Sequence, residues 1–225
     1  MWCIAKITDE YIERMFDITR LYKKPYDPKN PVICFDEKNK QLLGSSLQSI
    51  PIKPGRIKRV DYRYKRNGTA NIFVTVEPKG KFRTIKVTKR RTKTDFAKEI
   101  KRIIKLFKYK NAKKIHIVLD NLNTHFEKSF YETFSKIEAK NILKRIKFHY
   151  TPKHASWLNM AEIEINVLSS QCLNQKILEL KEMRKHIAAW SKHRNKIKAG
   201  INWKFTKEQA EIKFKLNHKT QKLNE

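Results

Sequence analysis

Apolar residues along this chain follow two rhythms, one near 3.6 residues and one of 2, and their succession predicts the elements. Residues 8–22 place Tyr11, Ile12, Met15, Phe16, Ile18 and Leu21 at helical spacing. Pro25, Asp27, Pro28 and Pro31 end that helix and lead into a short apolar strand, 32–36. A basic loop with Pro51, Pro54 and Gly55 follows. Residues 69–76 and 81–88 then alternate as two strands of a hairpin around Pro78–Gly80. Thr94 is placed to cap a helix whose apolar stripe is Phe96, Ile100, Ile103, Ile104 and Phe107. Beyond it the pattern predicts a buried strand at 115–120, a helix at 125–137 and a strand at 146–150 stopped by Pro152. Helices at 157–173, 178–194 and 206–214 complete the series before a polar end that is expected to fray.

Antiparallel strands come first, and strand alternates with helix afterwards. The fold class expected is therefore α/β, a mixed sheet with helices on both faces. The order resembles the ribonuclease H-like arrangement, in which the first and fourth strands are neighbours. The division expected is a helix and lead-in over 1–30, a core over 31–175 and a helical extension over 176–225.

Charge adds the first hint of function. Lys and Arg number 52 against 22 Asp and Glu, a net +30, which favours a polyanion such as nucleic acid. Lysine, asparagine and isoleucine are abundant together, so part of that charge is what an AT-rich genome would produce; the dense patches KPGRIKR at 53–59, RYKR at 63–66 and KRRTK at 89–93 argue for more than drift. No apolar run approaches a membrane span of roughly 18–20 residues, and the start lacks a signal-peptide layout, so a cytoplasmic, nucleoid-associated protein is expected. Cys3, Cys34 and Cys172 have no metal-ligand spacing and read as reduced, buried residues.

The chemistry rests on acids. Asp36 closes the first apolar strand, Asp120 closes the 115–120 strand, and Glu162 lies within a helical pattern. Singly, a strand-end aspartate is more often a turn residue than a ligand. Brought together, such carboxylates suit two Mg²⁺ or Mn²⁺ ions spaced ~3.5–4 Å apart, which serve phosphodiester chemistry. Glu164 points ~200° away from Glu162 around a helix and competes for the third place.

Longer motifs carry a resemblance. WCI near the start, YDPKNPVICFDE, PGRIKRVDYRYKRNGTANIF, RRTKTDFA, VLDNLNTH and FHYTPKHASWLNMAEIE with VLSSQCL behind it are similar to the insertion-sequence six-thirty branch of the Tc/mariner superfamily of DDE transposases. The resemblance implies that Asp36, Asp120 and Glu162 are the catalytic and metal-holding acids. It implies cleavage at transposon ends and transfer of a 3′-hydroxyl into target DNA, typically at TA, by a homodimer. Only about 31 residues precede the first strand, so a catalytic half is expected, with a separate helix-turn-helix polypeptide as possible partner. An inactive DNA-binding remnant and a simple nuclease are the alternatives.

Arg56, Arg59, Arg63 and Arg66 are candidate contacts to the DNA backbone, with a solvated loop as the plain alternative. Lys153, His154 and Trp157 precede the last of the acidic motifs and are candidates for gripping phosphate and stacking on a base. Trp157 reads still better as a core residue. His125 either positions DNA or a metal-bound water, or caps the helix that follows.

Overall fold

The computed structural model describes residues 7–45, 50–57, 59 and 63–216. The WCI motif, Cys3 and the polar end fall outside them.

Helix α1 (Asp9–Lys23) opens the described chain, with the Thr8 hydroxyl accepting from the Tyr11 N–H as its cap. It is followed by β1 (Val32–Ser45), β2 (Tyr64–Glu77), β3 (Phe82–Thr88) and α2 (Lys93–Ile104). Then come β4 (Ile115–Leu119), the short α3 (Lys128–Thr133), α4 (Lys136–Lys144) and β5 (Ile146–Tyr150). Helices α5 (Met160–Gln171), α6 (Leu180–Lys196) and α7 (Lys207–Phe214) end the series.

The five strands form one mixed sheet in the order β3-β2-β1-β4-β5. The first three pair antiparallel, and β1, β4 and β5 run parallel. The first and fourth strands are thus neighbours, as the element order predicts.

Alternation along the strands sorts side chains to two faces. From β1 and β4, Ile33, Phe35, Ile117 and Leu119 face a core shared with Phe96, Ile100 and Phe130 of α2 and α3. Cys34 and Val118 face the opposite core, with Met15, Ile18 and Tyr22 of α1, with Leu158 in the turn before α5 and with Met160 at its start. Farther along that face, Ile72 and Val74 of β2 meet Ile165 and Leu168 of α5 and Ile187 of α6. Each fully buried large apolar side chain in these layers contributes roughly 1.5–3 kcal/mol.

Several boundaries differ from the sequence reading. β1 does not stop at residue 36 but continues to Ser45, because its polar second half pairs with β2 in a ribbon that needs backbone bonds more than burial. The β2 half of that ribbon is exposed from Tyr64 to Thr69. Thr92, not Thr94, caps α2, in a capping box with Asp95. The helix expected at 125–137 is two short helices, since Ser135 starts a new one by accepting from the Glu138 N–H. The stretch around Trp157 is a 3₁₀ turn, and α5 begins only after Asn159.

Candidate active site

Strands β1 and β4 are paired up to Cys34 and Val118 and then part. Continuing that register by two residues sets Asp36 against Asp120. Asp36 stands two residues after Cys34, on the face that α5 covers, so alternation turns it toward α5. A crevice at the carboxyl ends of adjoining parallel strands is where sheets of this kind bind ligands.

Asp36 is 8% exposed. Its Oδ1 accepts the Glu37 N–H at 2.7 Å, and its Oδ2 accepts from Asn159 Nδ2 at 3.2 Å. Burial raises its pKa to about 7; the Glu37 N–H works against that, and the negative charges of Glu162 and Asp120 add to it. The three acids therefore lie close enough to repel.

Asp120 answers differently. Burial would raise its pKa, but the His125 hydrogen bond and charge, the Leu122 N–H and Arg91 together hold it below the ordinary value. It is the acid that stays ionised. Its Oδ1 receives both the Leu122 N–H at 3.1 Å and His125 Nδ1 at 2.7 Å.

Glu162 sits half-buried in the first turn of α5. Its side chain makes no hydrogen bond or ion pair among the described residues. Glu164 is fully buried elsewhere, with Oε1 2.7 Å from Arg83 Nε and Oε2 3.1 Å from Arg194 Nη2. Its carboxylate is spent on holding α5 to β3 and α6. Among the described residues no three His, Cys, Asp or Glu side chains form a closed set around a cation. The donor chemistry nonetheless suits a hard cation: the acids are carboxylates, burial with the neighbouring charges pushes Asp36 toward neutrality, and Asp120 Oδ2 accepts no hydrogen bond among the described residues.

His125 departs from two of its expected roles. It is 1% exposed, so it offers no surface to DNA, and Glu127 rather than His125 occupies the cap position of α3. Its Nε2 lies 3.2 Å from Glu37 Oε1, opposite the nitrogen bonded to Asp120. Burial lowers its pKa, yet the two carboxylates outweigh that and raise it to about 9.

Trp157 is also no free stacking platform: it is half-buried, with its ring edge-on to Phe205 at 5.1 Å between centroids. Lys153 and His154 are exposed in the turn between β5 and α5. Arg56, Arg59, Arg63 and Arg66 are exposed on and beyond the β1–β2 ribbon, away from the acids.

Some site residues escaped the sequence reading. Asn159 joins α5 to Asp36, and the signal was present as Asn-x-x-Glu, a capping pattern ending on Glu162. Glu37 lies just past the strand expected at 32–36, but the strand continues and alternation buries its side chain. Asn121 accepts from Arg14 Nη1 at 2.5 Å and donates to the Thr151 carbonyl, tying the Asp120 loop to α1 and β5.

A family model for the DDE superfamily endonuclease matches residues 31–184. Solved structures of similar fold include the Mos1 mariner paired-end complex with Mn, at 13% identity, TM-score 0.56, and coverage of 88% of this chain and 60% of that one. The Mos1 strand transfer complex aligns at 12% identity and TM-score 0.55 over 85% of this chain and 57% of its own. A pre-cleavage Mos1 transpososome aligns at 11% identity and TM-score 0.55 over 91% and 67%. The chain thus spans about 60% of the length of the first of these. The likeness establishes the fold, a ribonuclease H-like mixed sheet. A comparison with curated proteins finds no match.

Proposed function

The chain belongs to the DDE superfamily endonucleases, and on that footing we propose that it is the catalytic core of a Tc/mariner-type transposase of the insertion-sequence six-thirty branch. The observation that supports the reading is the placement of Asp36, Asp120 and Glu162 around the crevice at the strand ends. Two come from the parting ends of adjacent parallel strands, and the third from the helix turn that Asn159 docks on Asp36. Solved structures of similar fold include Mos1 paired-end complexes with Mn and with Mg, a Mos1 transposase complex with the left transposon end and a Mos1 strand transfer complex.

In this reading Asp36, Asp120 and Glu162 hold Mg²⁺ or Mn²⁺, two ions being expected. Bound there, such ions activate the attacking oxygen and stabilise charge on the leaving one. Asp120 stays ionised and gives a fixed hard-oxygen donor. Asp36 would be held in its charged form by a cation there, and Glu162 would complete the set from α5. The reaction is hydrolysis at a transposon end, then in-line attack by the freed 3′-hydroxyl on target DNA at TA. Neither step needs a covalent enzyme intermediate. Arg56, Arg59, Arg63 and Arg66 on the ribbon, with Lys153 and His154 near the crevice, supply backbone contacts. A homodimer that joins two ends, a helix-turn-helix partner and a nucleoid setting belong to the same reading. No helix of the described residues is long and apolar enough to cross a membrane.

The test is nicking of supercoiled DNA by the purified chain with Mg²⁺ or Mn²⁺. Nicking that disappears with chelator and in Asp36→Asn supports the reading; equal nicking in that variant removes it. One rival, supported by the net charge of +30, is a non-catalytic basic DNA-binding protein. That rival predicts tight DNA binding with no nicking at any metal concentration.

A further inference from the structure

We propose that Glu37 is a positioning residue for Asp120, acting through His125 in a carboxylate–imidazole–carboxylate chain; the proposal rests on Asp120 being a metal ligand. Asp120 lies just past the end of β4, in a loop, and its side chain is 36% exposed. A loop carboxylate would rotate freely unless something fixed it. Oδ1 is fixed by two donors, the Leu122 N–H and His125 Nδ1. Oδ2 is thereby left as the oxygen able to serve a cation.

The fixing is only as good as the imidazole's own restraint. His125 is wedged against Phe96 at 4.7 Å and Phe35 at 5.5 Å between ring centroids. Its second nitrogen is bonded to Glu37 Oε1, so turning the ring would break both polar contacts. The Glu37 side chain is 3% exposed, and its other oxygen has Arg91 Nη1 at 3.6 Å. A carboxylate that deep costs several kcal/mol in lost hydration. Filling the same space with an apolar side chain would be the cheaper way to build a core.

Strand alternation explains the arrangement. Asp36 and Glu37 are consecutive and therefore point to opposite faces of β1. The strand thus sets one ligand directly and reaches the other from behind, through the imidazole. Partners that orient metal ligands from behind typically contribute about 10–100-fold to metal affinity.

The test is calorimetric Mn²⁺ titration of the full metal-free chain, with chemical denaturation run beside it. Glu37→Ala is expected to weaken Mn²⁺ binding about 10-fold or more. Glu37→Gln keeps the shape and an amide oxygen that accepts from His125, so it is expected to fall between Ala and wild type. In nicking assays the same order should appear in kcat, with KM for DNA unchanged. A merely structural Glu37 would lower the denaturation midpoint and leave the Mn²⁺ affinity of the folded protein at the wild-type value; that result overturns the proposal. If Glu37→Ala fails to fold, Glu37→Gln decides: wild-type affinity in it also overturns the proposal. Asp120→Asn separates the two claims. Unchanged Mn²⁺ binding in Asp120→Asn removes Asp120 as a ligand, whereas loss there with no effect at Glu37 removes only the positioning chain.

Discussion

Asn159 donates from one amide nitrogen to two acceptors of β1, the Phe35 carbonyl at 2.9 Å and Asp36 Oδ2 at 3.2 Å. Its oxygen accepts the Ala161 N–H at 3.1 Å and so begins α5. One buried side chain therefore starts the helix that carries Glu162 and sets it against the strand that carries Asp36.

Asn159→Ala should lower stability by about 1 kcal/mol for the lost cap and by a further ~1–3 kcal/mol for acceptors left dry. Urea denaturation reads the total. Metal-dependent nicking should fall more than the unfolded fraction explains, because α5 loses its tie to Asp36. Nicking that merely tracks the folded fraction would remove the positioning part of this claim.

The two glutamates of α5 should separate cleanly. Glu162→Gln is expected to abolish nicking with a stability change within about 0.5 kcal/mol, as for a half-buried residue without a polar bond. Glu164→Gln strips the buried Arg83 of its counter-charge and should cost about 3–5 kcal/mol. The opposite assignment, with an inactive but stable Glu164→Gln, would make Glu164 the third acid.

Much of this was legible in the chain and some was not, and the division has physical causes. Strand β4 was legible because burial on both faces leaves a short apolar run between polar breaks, and β5 because a short stretch with apolar residues at alternate positions stops at Thr151-Pro152. The far half of β1 was not, since 37–41 are mostly polar and the ribbon is held by its ladder with β2. Asp36 and Asp120 could be picked out as acids ending apolar runs. The inward turn of Glu37 could not, because alternation is informative only where the strand is known to continue. His125 showed as polar in the sequence, and only the fold shows that Asp120 and Glu37 bury it by occupying both its nitrogens.

Asp36 makes stability depend on pH in the metal-free protein. Its folded pKa of about 7 lies above the ordinary 3.8, so the folded state holds a proton that the unfolded state has released. The contribution is full below pH ~4 and is lost as pH rises through about 7, on the order of 4 kcal/mol in all. Denaturation with chelator present should show that decline between pH 4 and 7, and Asp36→Asn should flatten it. Added Mg²⁺ or Mn²⁺ should restore stability above pH 7. A wild-type profile equal to that of the Asn variant would contradict the origin assigned to the shift.

Binding to DNA should be governed by counterion release. Affinity is expected to fall linearly in log salt, and each of Arg56→Ala, Arg59→Ala and Arg66→Ala should reduce the slope by about 1 if it meets a phosphate. Fluorescence anisotropy over a salt series measures this. Slopes unchanged in all three variants would place the DNA elsewhere than the ribbon.

The most direct measurement is anomalous diffraction from crystals soaked in Mn²⁺. Mn²⁺ peaks are expected within coordination distance of Asp36, Asp120 Oδ2 and Glu162, with Glu162 swung toward the strand ends and Glu164 still on Arg83. Peaks absent from that crevice at saturating Mn²⁺, or bound without Asp36 and Asp120, would contradict that placement.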